Sequence, residues 1–514
     1  MKIALLVIYF GVMVAIGIYC RKHTSGINNF VLGGRSVGPW LTAFAYGTSY
    51  FSAVVFIGYA GQFGWKYGIA ATWAGIGNAI LGSLLVWVVL GRRTRIMTQH
   101  FDSTTMPQFF GQRFQSPSLK IGASIIIFIF LIPYTASLFN GLSRLFGMAF
   151  NIDYTVCIIL MGVLTGIYVI AGGYMATAIN DFVQGCIMLV GICAVVGAIL
   201  NTQGGFSEAL HNLAAVSDST TTNGDVPGIY ASFFGPEPVN LLGVVLLTSL
   251  GTWGLPQMVQ KFYAIKSEDA IHKGTVISTI FALVVSGGCY FMGGFGRLFS
   301  DQVDVATEGY DAIVPTMLSN LPELLIAIVV ILVLSASMST LSALVMTSSS
   351  TITLDLLKGN MVKKMNDFQA VFIIRCFIVV FIIISMVIAI IQYKYSISFI
   401  AQLMGVSWGA LAGAFLAPFL YGLYWKRTSP AACAACFLFG CGTMVLNMCA
   451  PQLFPAFLQS PINCGAFVML AGFLIVPLVS LFGKVKDEAA VEEAFSCYEK
   501  KVQTPQRMTL GDDR

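Results

Sequence analysis

The residues best suited to chemistry in this chain are hydroxyls in an unexpected place. Ala336-Ser-Met-Ser-Thr-Leu-Ser342 lies inside an apolar run that reads as a membrane-spanning helix. At helical spacing Ser335, Ser339 and Ser342 fall on one face, with Ala336, Thr340 and Ala343 beside them. Hydroxyl oxygens therefore converge on a narrow strip, and such a strip can hold a small, hard cation. It can equally let two membrane helices pack closely, each hydroxyl bonded back to its own backbone. A lone acid, Asp181, poses a similar choice. It follows Tyr168-Val-Ile-Ala-Gly-Gly-Tyr-Met-Ala-Thr-Ala-Ile-Asn180 and opens an apolar stretch, where a carboxylate serves as a helix cap or as an ion ligand.

Other chemistries are thinly supplied. The four histidines, His23, His100, His211 and His272, fall in predicted loops and leave little for acid–base work. The cysteines lie mostly within apolar runs, as do Cys433, Cys436, Cys441 and Cys449, where a thiol behaves as a small hydrophobe. The cysteines support neither a disulfide framework nor a metal site, and no intramembrane cluster points to an enzyme.

The elements that position the hydroxyls must be membrane helices. With 57% hydrophobic and 10% charged residues and a mean hydropathy of +0.82, the chain is too apolar for an ordinary soluble domain. The net charge of +5 is scattered between apolar runs, which excludes nucleic acid as a partner and makes the lipid bilayer the surrounding medium. A span needs about 20 apolar residues to cross roughly 30 Å of hydrocarbon. By that measure thirteen segments are expected, near 3–20, 38–62, 69–91, 119–149, 153–171, 181–200, 238–262, 274–298, 320–356, 369–393, 396–424, 430–450 and 462–482. The first is read as a retained helix, because only Met1-Lys2 precedes it and no cleavage site follows.

Arg21 and Lys22, Arg92, Arg93 and Arg95, Lys261, Lys266 and Lys273, Lys358, Lys363 and Lys364, and Lys426 and Arg427 occupy alternate loops, which assigns those loops to the cytoplasm. Glu208, Asp218, Asp225, Asp301, Asp304, Glu308 and Asp311 mark the intervening ones. The N-terminus is then outside and the C-terminus cytoplasmic, in a multi-pass protein of the plasma (inner) membrane. The polar 201–237 stretch is expected to be a flexible external connector.

Two segments are interrupted. Segment 2 contains Ala45-Tyr-Gly-Thr-Ser-Tyr-Phe-Ser52, and segment 7 contains Thr248-Ser-Leu-Gly-Thr-Trp-Gly-Leu-Pro256. Broken backbone at membrane depth is tolerated only beside a binding cavity or a bonded neighbour. The five-segment offset suggests two inverted repeats, as in many secondary transporters. The expected organisation is a first helix and linker at 1–37, a first repeat at 38–200, a connector at 201–237 and a second repeat at 238–424. Peripheral helices at 425–482 and a tail at 483–514 complete it. The alternative is a pair of ordinary kinked helices.

The Tyr-x3-Gly-Gly-x2-Ala-x4-Asp-x2-Gln pattern ending at Gln184, together with Met338-Ser-Thr-Leu-Ser342, resembles the sodium:solute symporter family. Gly422-Leu-Tyr-Trp-Lys-Arg427 followed by Ala431-Ala432 is similar to a third family motif, with Ala where Gly-Ala is more usual. The likeness runs from Gly33-Gly34-Arg35 to segment 13. It implies an all-α integral membrane protein, a LeuT-like 5+5 inverted-repeat bundle of about 13 helices. It also implies a sodium (Na+) site built from main-chain carbonyls of Thr48, Phe51 and Ala336 and hydroxyls of Ser339 and Thr340. Where members hold a second sodium, the counterparts here are Asp181, Ser339, Thr340 and Ser342. Neutral oxygens from an unwound helix can replace sodium's water shell without trapping the ion.

The resemblance places the solute midway across the membrane, with Tyr50, Ser52, Asn78, Tyr134, Thr135, Thr252, Trp253 and Gln402 as lining candidates. Each is equally able to serve helix packing. Proline-carrying members tend to have Asp where Tyr50 stands, and Trp and Tyr where Thr248 and Thr252 stand, which counts against a proline-type pocket. Pantothenate-type members are closer in Thr48-Ser-Tyr-Phe-Ser-Ala53. Arg144, near the end of segment 4, would favour a carboxylate if it lines the pathway, and otherwise snorkels to headgroups.

The resulting expectation is a sodium-coupled importer of a small organic solute by alternating access, the cargo being a carboxylate-bearing nutrient, a vitamin such as pantothenate, or an amino acid. A sugar, polyol or sialic acid symporter, or an uncoupled membrane sensor, is the alternative. The residues set no oligomeric state, and a monomer would suffice. One charge moving through about 100 mV contributes ~2.3 kcal/mol, and a roughly tenfold sodium gradient adds ~1.4 kcal/mol. One sodium could therefore sustain on the order of several hundredfold accumulation of a neutral solute, and a second could square it.

Overall fold

A computed structural model describes residues 2–21, 26–150, 153–358, 362, 365–395, 400–483, 485 and 487–499. Lys22, His23, Lys363, Lys364, the start of the eleventh expected segment and most of the tail lie outside the described residues. The described elements are helical, apart from isolated bridges at Val37–Ile265 and Lys358–Val362.

The principal rods are α1 (Lys2–Cys20), α2 (Pro39–Tyr50), α3 (54–67), α4 (69–100), α5 (Pro117–Phe150) and α6 (Tyr154–Thr202), followed by α7 (Pro238–Gly254), α8 (Pro256–Ala264) and α9 (Glu268–Gly293). The hydroxyl strip lies on α10 (Glu323–Thr351), which continues in a π turn to Leu357. Then come α11 (Asp367–Tyr395), α12 (Ile400–Tyr424), α13 (Pro430–Cys449), α14 (Pro461–Phe482) and the short α15 (Glu488–Ser496).

Among the described residues, nine helices are long and apolar enough to cross a bilayer, or ten if the bent pair α7–α8 is one span, against the thirteen segments expected. Merging accounts for part of the difference. α6 is a helical run of 49 residues with a kink inside it. At about 1.5 Å per residue it would reach about 74 Å, over twice the hydrocarbon thickness. Gly173, at φ 57° and ψ −155°, divides it into two limbs, a conformation that a side chain would strain. Expected segments 5 and 6 share this one stretch. In the same way α3 and α4 run on through Gly68 at φ 61°, where an added Cβ would lie 2.0 Å from the Tyr230 carbonyl oxygen. At the N-terminus, Ala4–Cys20 is apolar but too short for the criterion.

Lipid-facing and buried surfaces are distinct. α11 exposes Phe368, Phe372, Val379, Ile383 and Val387, as expected of a peripheral span bathed in lipid. α12 is buried nearly throughout, because Gly409 and Gly413 let α13 and α14 approach closely; an added Cβ on Gly440 of α13 would lie 2.6 Å from the Ala414 nitrogen. Cys433 and Cys436, at Cys-x-x-Cys spacing in α13, are buried free thiols.

Three expectations are corrected. The 201–237 stretch is a folded cap rather than a flexible connector, containing a helix at Phe206–Ala215 and an ion pair from Asp218 to Arg297 at 2.9 Å. His100, His211 and His272 belong to helices rather than loops. Lys261, taken as a loop lysine, is buried in α8.

Candidate ion and solute site

The two breaks position the site. α2 ends at Tyr50, and Phe51 takes an extended conformation (φ −105°, ψ 100°) before a π turn begins at Val54. The Ser52 hydroxyl accepts from the Val54 amide at 3.2 Å, capping the second half. In the other break Leu255 is extended (φ −75°, ψ 122°), as the residue before a proline must be, and α7 and α8 diverge by 46°.

Across the first break the hydroxyl strip meets a main-chain carbonyl. Ser339 Oγ and Thr340 Oγ1 each lie 3.0 Å from the Thr48 carbonyl oxygen and 3.1 Å from that of Ala336. Four oxygens from two helices almost 300 positions apart in sequence thus share one buried spot. A hydroxyl carries one proton and cannot donate fully to both carbonyls at once. A cation among the four would take the carbonyl lone pairs and one from each hydroxyl together. Phe51 stands at the break itself, and its amide bonds Gly47 at 3.0 Å. The packing alternative for the strip also holds in part, since Ser337 and Ser342 bond back to Val333 and Ser339 carbonyls on α10.

The solute candidates divide into two groups. Tyr50 stacks on Phe51 at 4.2 Å and donates to the Thr248 carbonyl at 2.6 Å, tying the first break to the second. Tyr134 sits edge-on to Trp408 at 5.9 Å, and Tyr50 lies 6.0 Å from the same indole. Neither the Tyr134 hydroxyl nor the Trp408 N–H has a hydrogen-bond partner among the described residues, and such buried groups are where a polar ligand gains most. Thr252 bonds the Gly82 carbonyl at 3.0 Å and Trp253 that of Leu81 at 3.0 Å, both holding α7 against α4. In contrast, the Asn78 amide is used up between Ser286 and Ser249, and Thr135 bonds its own helix at Leu131. Trp408 was not anticipated. Its only signal in sequence is a large ring in a Gly/Ala-rich helix; across from it Gly251 leaves room, since a Cβ there would lie 2.4 Å from the ring.

Asp181 is engaged elsewhere than with Ser342. It lies about two turns into the second limb of α6, so it caps nothing, and its Oδ2 is 3.8 Å from Lys261 Nζ. Both side chains are inaccessible, at 1% and 3% exposure. Sequence reasoning found the acid but not the base.

The two ends of the bundle differ. At the end where Arg144 lies, a cavity of about 840 Å³ is lined by Asn140, Arg144, Tyr154, Glu308, Asp311, Gln392, Lys394 and Gln402. About 36 Å along α5, around Lys120, the other end is shut. There the Arg35 guanidinium donates to the carbonyls of Ser103 (2.7 Å), Thr98 (3.3 Å) and Tyr263 (3.4 Å), and Arg95 donates to that of Ile265 (2.5 Å). The Val37 amide bonds the Ala264 carbonyl, and the Lys266 amide bonds that of Val37. Asp355, beside Lys120 at 3.8 Å, accepts from Thr105 at 2.7 Å.

The chain and its fold have counterparts among known proteins. The family model for the sodium:solute symporter family matches residues 30–440. This chain belongs to the sodium:solute symporter family. Its relatives include the osmoregulated proline transporter OpuE of Bacillus subtilis (strain 168), 29% identical over 85% of this chain and 87% of that protein. Another is a sodium/proline symporter of Staphylococcus aureus (strain JH9), 30% identical over 83% of this chain and 82% of the relative. Among solved structures, a Na+-coupled sialic acid symporter in a substrate-bound outward-open state superposes with a TM-score of 0.72 at 18% identity, covering 93% of this chain and 98% of that one. The nucleobase-cation-symport transporter Mhp1, in a closed conformation, gives 0.50 at 13% identity over 91% and 97%. The fold is the LeuT-like bundle, and the chain is a sodium-coupled symporter of a small solute in a membrane.

Proposed function

We propose that this symporter imports a small carboxylate-bearing nutrient, such as an amino acid, with sodium held by Thr48, Phe51, Ala336, Ser339 and Thr340. The observation that carries the cargo class is the cavity that joins Arg144 to Gln402. Trp408 stands about 9 Å further along α12, beside Tyr50 and Tyr134, so the guanidinium overlooks the approach to the aromatic cluster. The Arg144 and Lys394 cations there can pair with a solute carboxylate, in competition with the cavity's own Glu308 and Asp311. The named cargo of the sequence relatives, proline, bears a carboxylate, which supports the same class. The departures at Tyr50, Thr248 and Thr252 keep proline as one candidate among several, pantothenate included.

The solute would rest among Tyr50, Ser52, Tyr134, Thr252, Trp253 and Trp408. The Arg144 end faces outward and the Arg35 end faces the cytoplasm of a plasma-membrane protein, in accord with the loop charges. Alternating access is exchange between this arrangement and one in which units 38–200 and 238–424 have rocked to close over Arg144 and part at Arg35.

Uptake into liposomes of purified protein, with and without an inward sodium gradient, tests this against pooled radiolabelled amino acids, monocarboxylates, vitamins and sugars. The expected cargo is a carboxylate, taken up only with sodium. Thr340→Ala should raise the half-saturating sodium concentration roughly tenfold, about 1.4 kcal/mol, without changing cargo choice. Arg144→Gln should raise the half-saturating solute concentration and leave sodium dependence intact. Uptake of sugars alone would replace the cargo class, and uptake indifferent to sodium in every pool would remove the ion site.

A further inference from the structure

We infer that the Lys261 ammonium takes the place beside Asp181 that a second sodium ion would need, so that this symporter carries one sodium per solute. The inference rests on the reading that the first sodium lies at Thr48, Ser339 and Thr340.

Asp181 is the one anion of the candidate second site, and a sodium bound there would have to be neutralised by it. In this chain that charge is already matched. The ammonium lies 3.8 Å from Oδ2, is 3% exposed, and sits 5.3 Å over the ring of Tyr174. Adding sodium beside an intact pair leaves an excess positive charge in a buried place. Displacing the lysine strands an ammonium where no water reaches it, and no other carboxylate pairs with it among the described residues.

The neutral donors point the same way. Ser342 Oγ donates to the Ser339 carbonyl at 2.8 Å, while Ser339 and Thr340 turn their hydroxyls to the Thr48 carbonyl. All three hydroxyls are held against main-chain carbonyls, those of Ser339 and Thr340 at the proposed first site. The next position on the strip, Ala343, offers no side-chain oxygen. Acceptors do remain: both Asp181 oxygens, Gln184 Oε1 one turn beyond on α6, and Ser335 Oγ are buried with no hydrogen-bond partner among the described residues. Without the lysine, Asp181 and Gln184 would present oxygens and a net negative charge to a cation.

The test is equilibrium binding of radioactive sodium, with no solute present, to purified protein in detergent, alongside the sodium Hill coefficient of uptake. The parent should bind one ion per chain with a Hill coefficient near one. Lys261→Met, which keeps the stem and removes the charge, should acquire a second, weaker site and a Hill coefficient approaching two. The Asp181→Asn/Lys261→Met pair should return to one ion, as should Lys261→Arg, which keeps the cation. Two ions bound to the parent would overturn the inference without touching the Thr48 site. So would a folded Lys261→Met that still binds one. If Lys261→Met does not fold, the parent and Lys261→Arg stoichiometries decide alone. No sodium bound by the parent would overturn the Thr48 site, and this inference with it.

Discussion

The two ends of the pathway are built from different kinds of bond. At the Arg144 end, side chains face a cavity: Arg144, Glu308, Lys394 and Gln402 meet open space, and the firm contacts are lateral ones such as the stacking of Tyr154 on Tyr393 at 3.6 Å. At the Arg35 end, guanidinium groups reach across the bundle to main-chain carbonyls where α8 stops. The last carbonyls of a helix lack partners along the chain and carry the negative end of its dipole, so a cation there satisfies both needs. An end lined by solvated side chains can close and reopen at small cost. An end latched through backbone carbonyls opens only when several charge-assisted bonds break together. The difference teaches that the shut end, more than the open one, holds the molecule in the arrangement seen here. Just inside it lies the Asp181–Lys261 pair, buried on both sides, whereas the Arg297–Asp218 pair of the outer cap keeps its acid partly exposed.

The strongest way to break this contrast is to remove a charge from the shut half. Asp181→Asn leaves the Lys261 ammonium buried and unpaired, a change worth about 3–5 kcal/mol. The melting temperature in detergent should fall sharply, and Asp181→Asn/Lys261→Met should recover most of it. A single variant as stable as the parent would mean that water or an ion already reaches the pair. Next in size is the latch. Arg35→Ala deletes three carbonyl contacts, and bonds to charged groups contribute roughly 1.5–3 kcal/mol each where they are fully formed. Hydrogen exchange at the Val37 and Lys266 amides, which pair across the seal, should quicken roughly tenfold or more. Unchanged exchange would place the seal elsewhere.

The smallest effect belongs to the outer cap. Partial burial pushes the Asp218 carboxyl up, but hydrogen bonds from Thr220, Thr221 and Arg297 outweigh it and hold the group well below the usual carboxylate range. A depressed folded value means that its contribution is present above the ordinary carboxylate range and is lost only as pH falls through the folded one. Protection of the Gly224 amide, intrinsic rates allowed for, should thus be the same at pH 7 and pH 5. Asp218→Asn should weaken it by about 1 kcal/mol. A fall in parental protection between those pH values would show that another group holds the cap.

Much of the architecture was legible along the chain. Hydropathy over about 20 residues reports burial in lipid directly, and glycine with proline inside an apolar run reports a broken helix. The interruptions at Thr48–Ser52 and Gly251–Pro256 were therefore visible before any packing was known. The helix count was not, because Gly173 and Gly68 turn the chain without a polar gap, and α6 reads as two segments or one. Asn78 and Thr135 illustrate a different loss. A polar side chain in a membrane helix must find a partner, and whether that partner is a neighbouring helix or a solute depends on what faces it.

By itself the sequence determined the medium, the family and the hydroxyl strip on α10, because each is written in residues close together along the chain. Only the tertiary structure decided that Ser339 and Thr340 share the Thr48 carbonyl, that Trp408 joins Tyr50 and Tyr134, that Arg35 latches Tyr263, and that Lys261 neutralises Asp181. Those meetings join positions dozens to hundreds of residues apart. Electrostatic and hydrogen-bond energies depend on distance through space, for which the spacing of residues along a folded membrane chain is no guide.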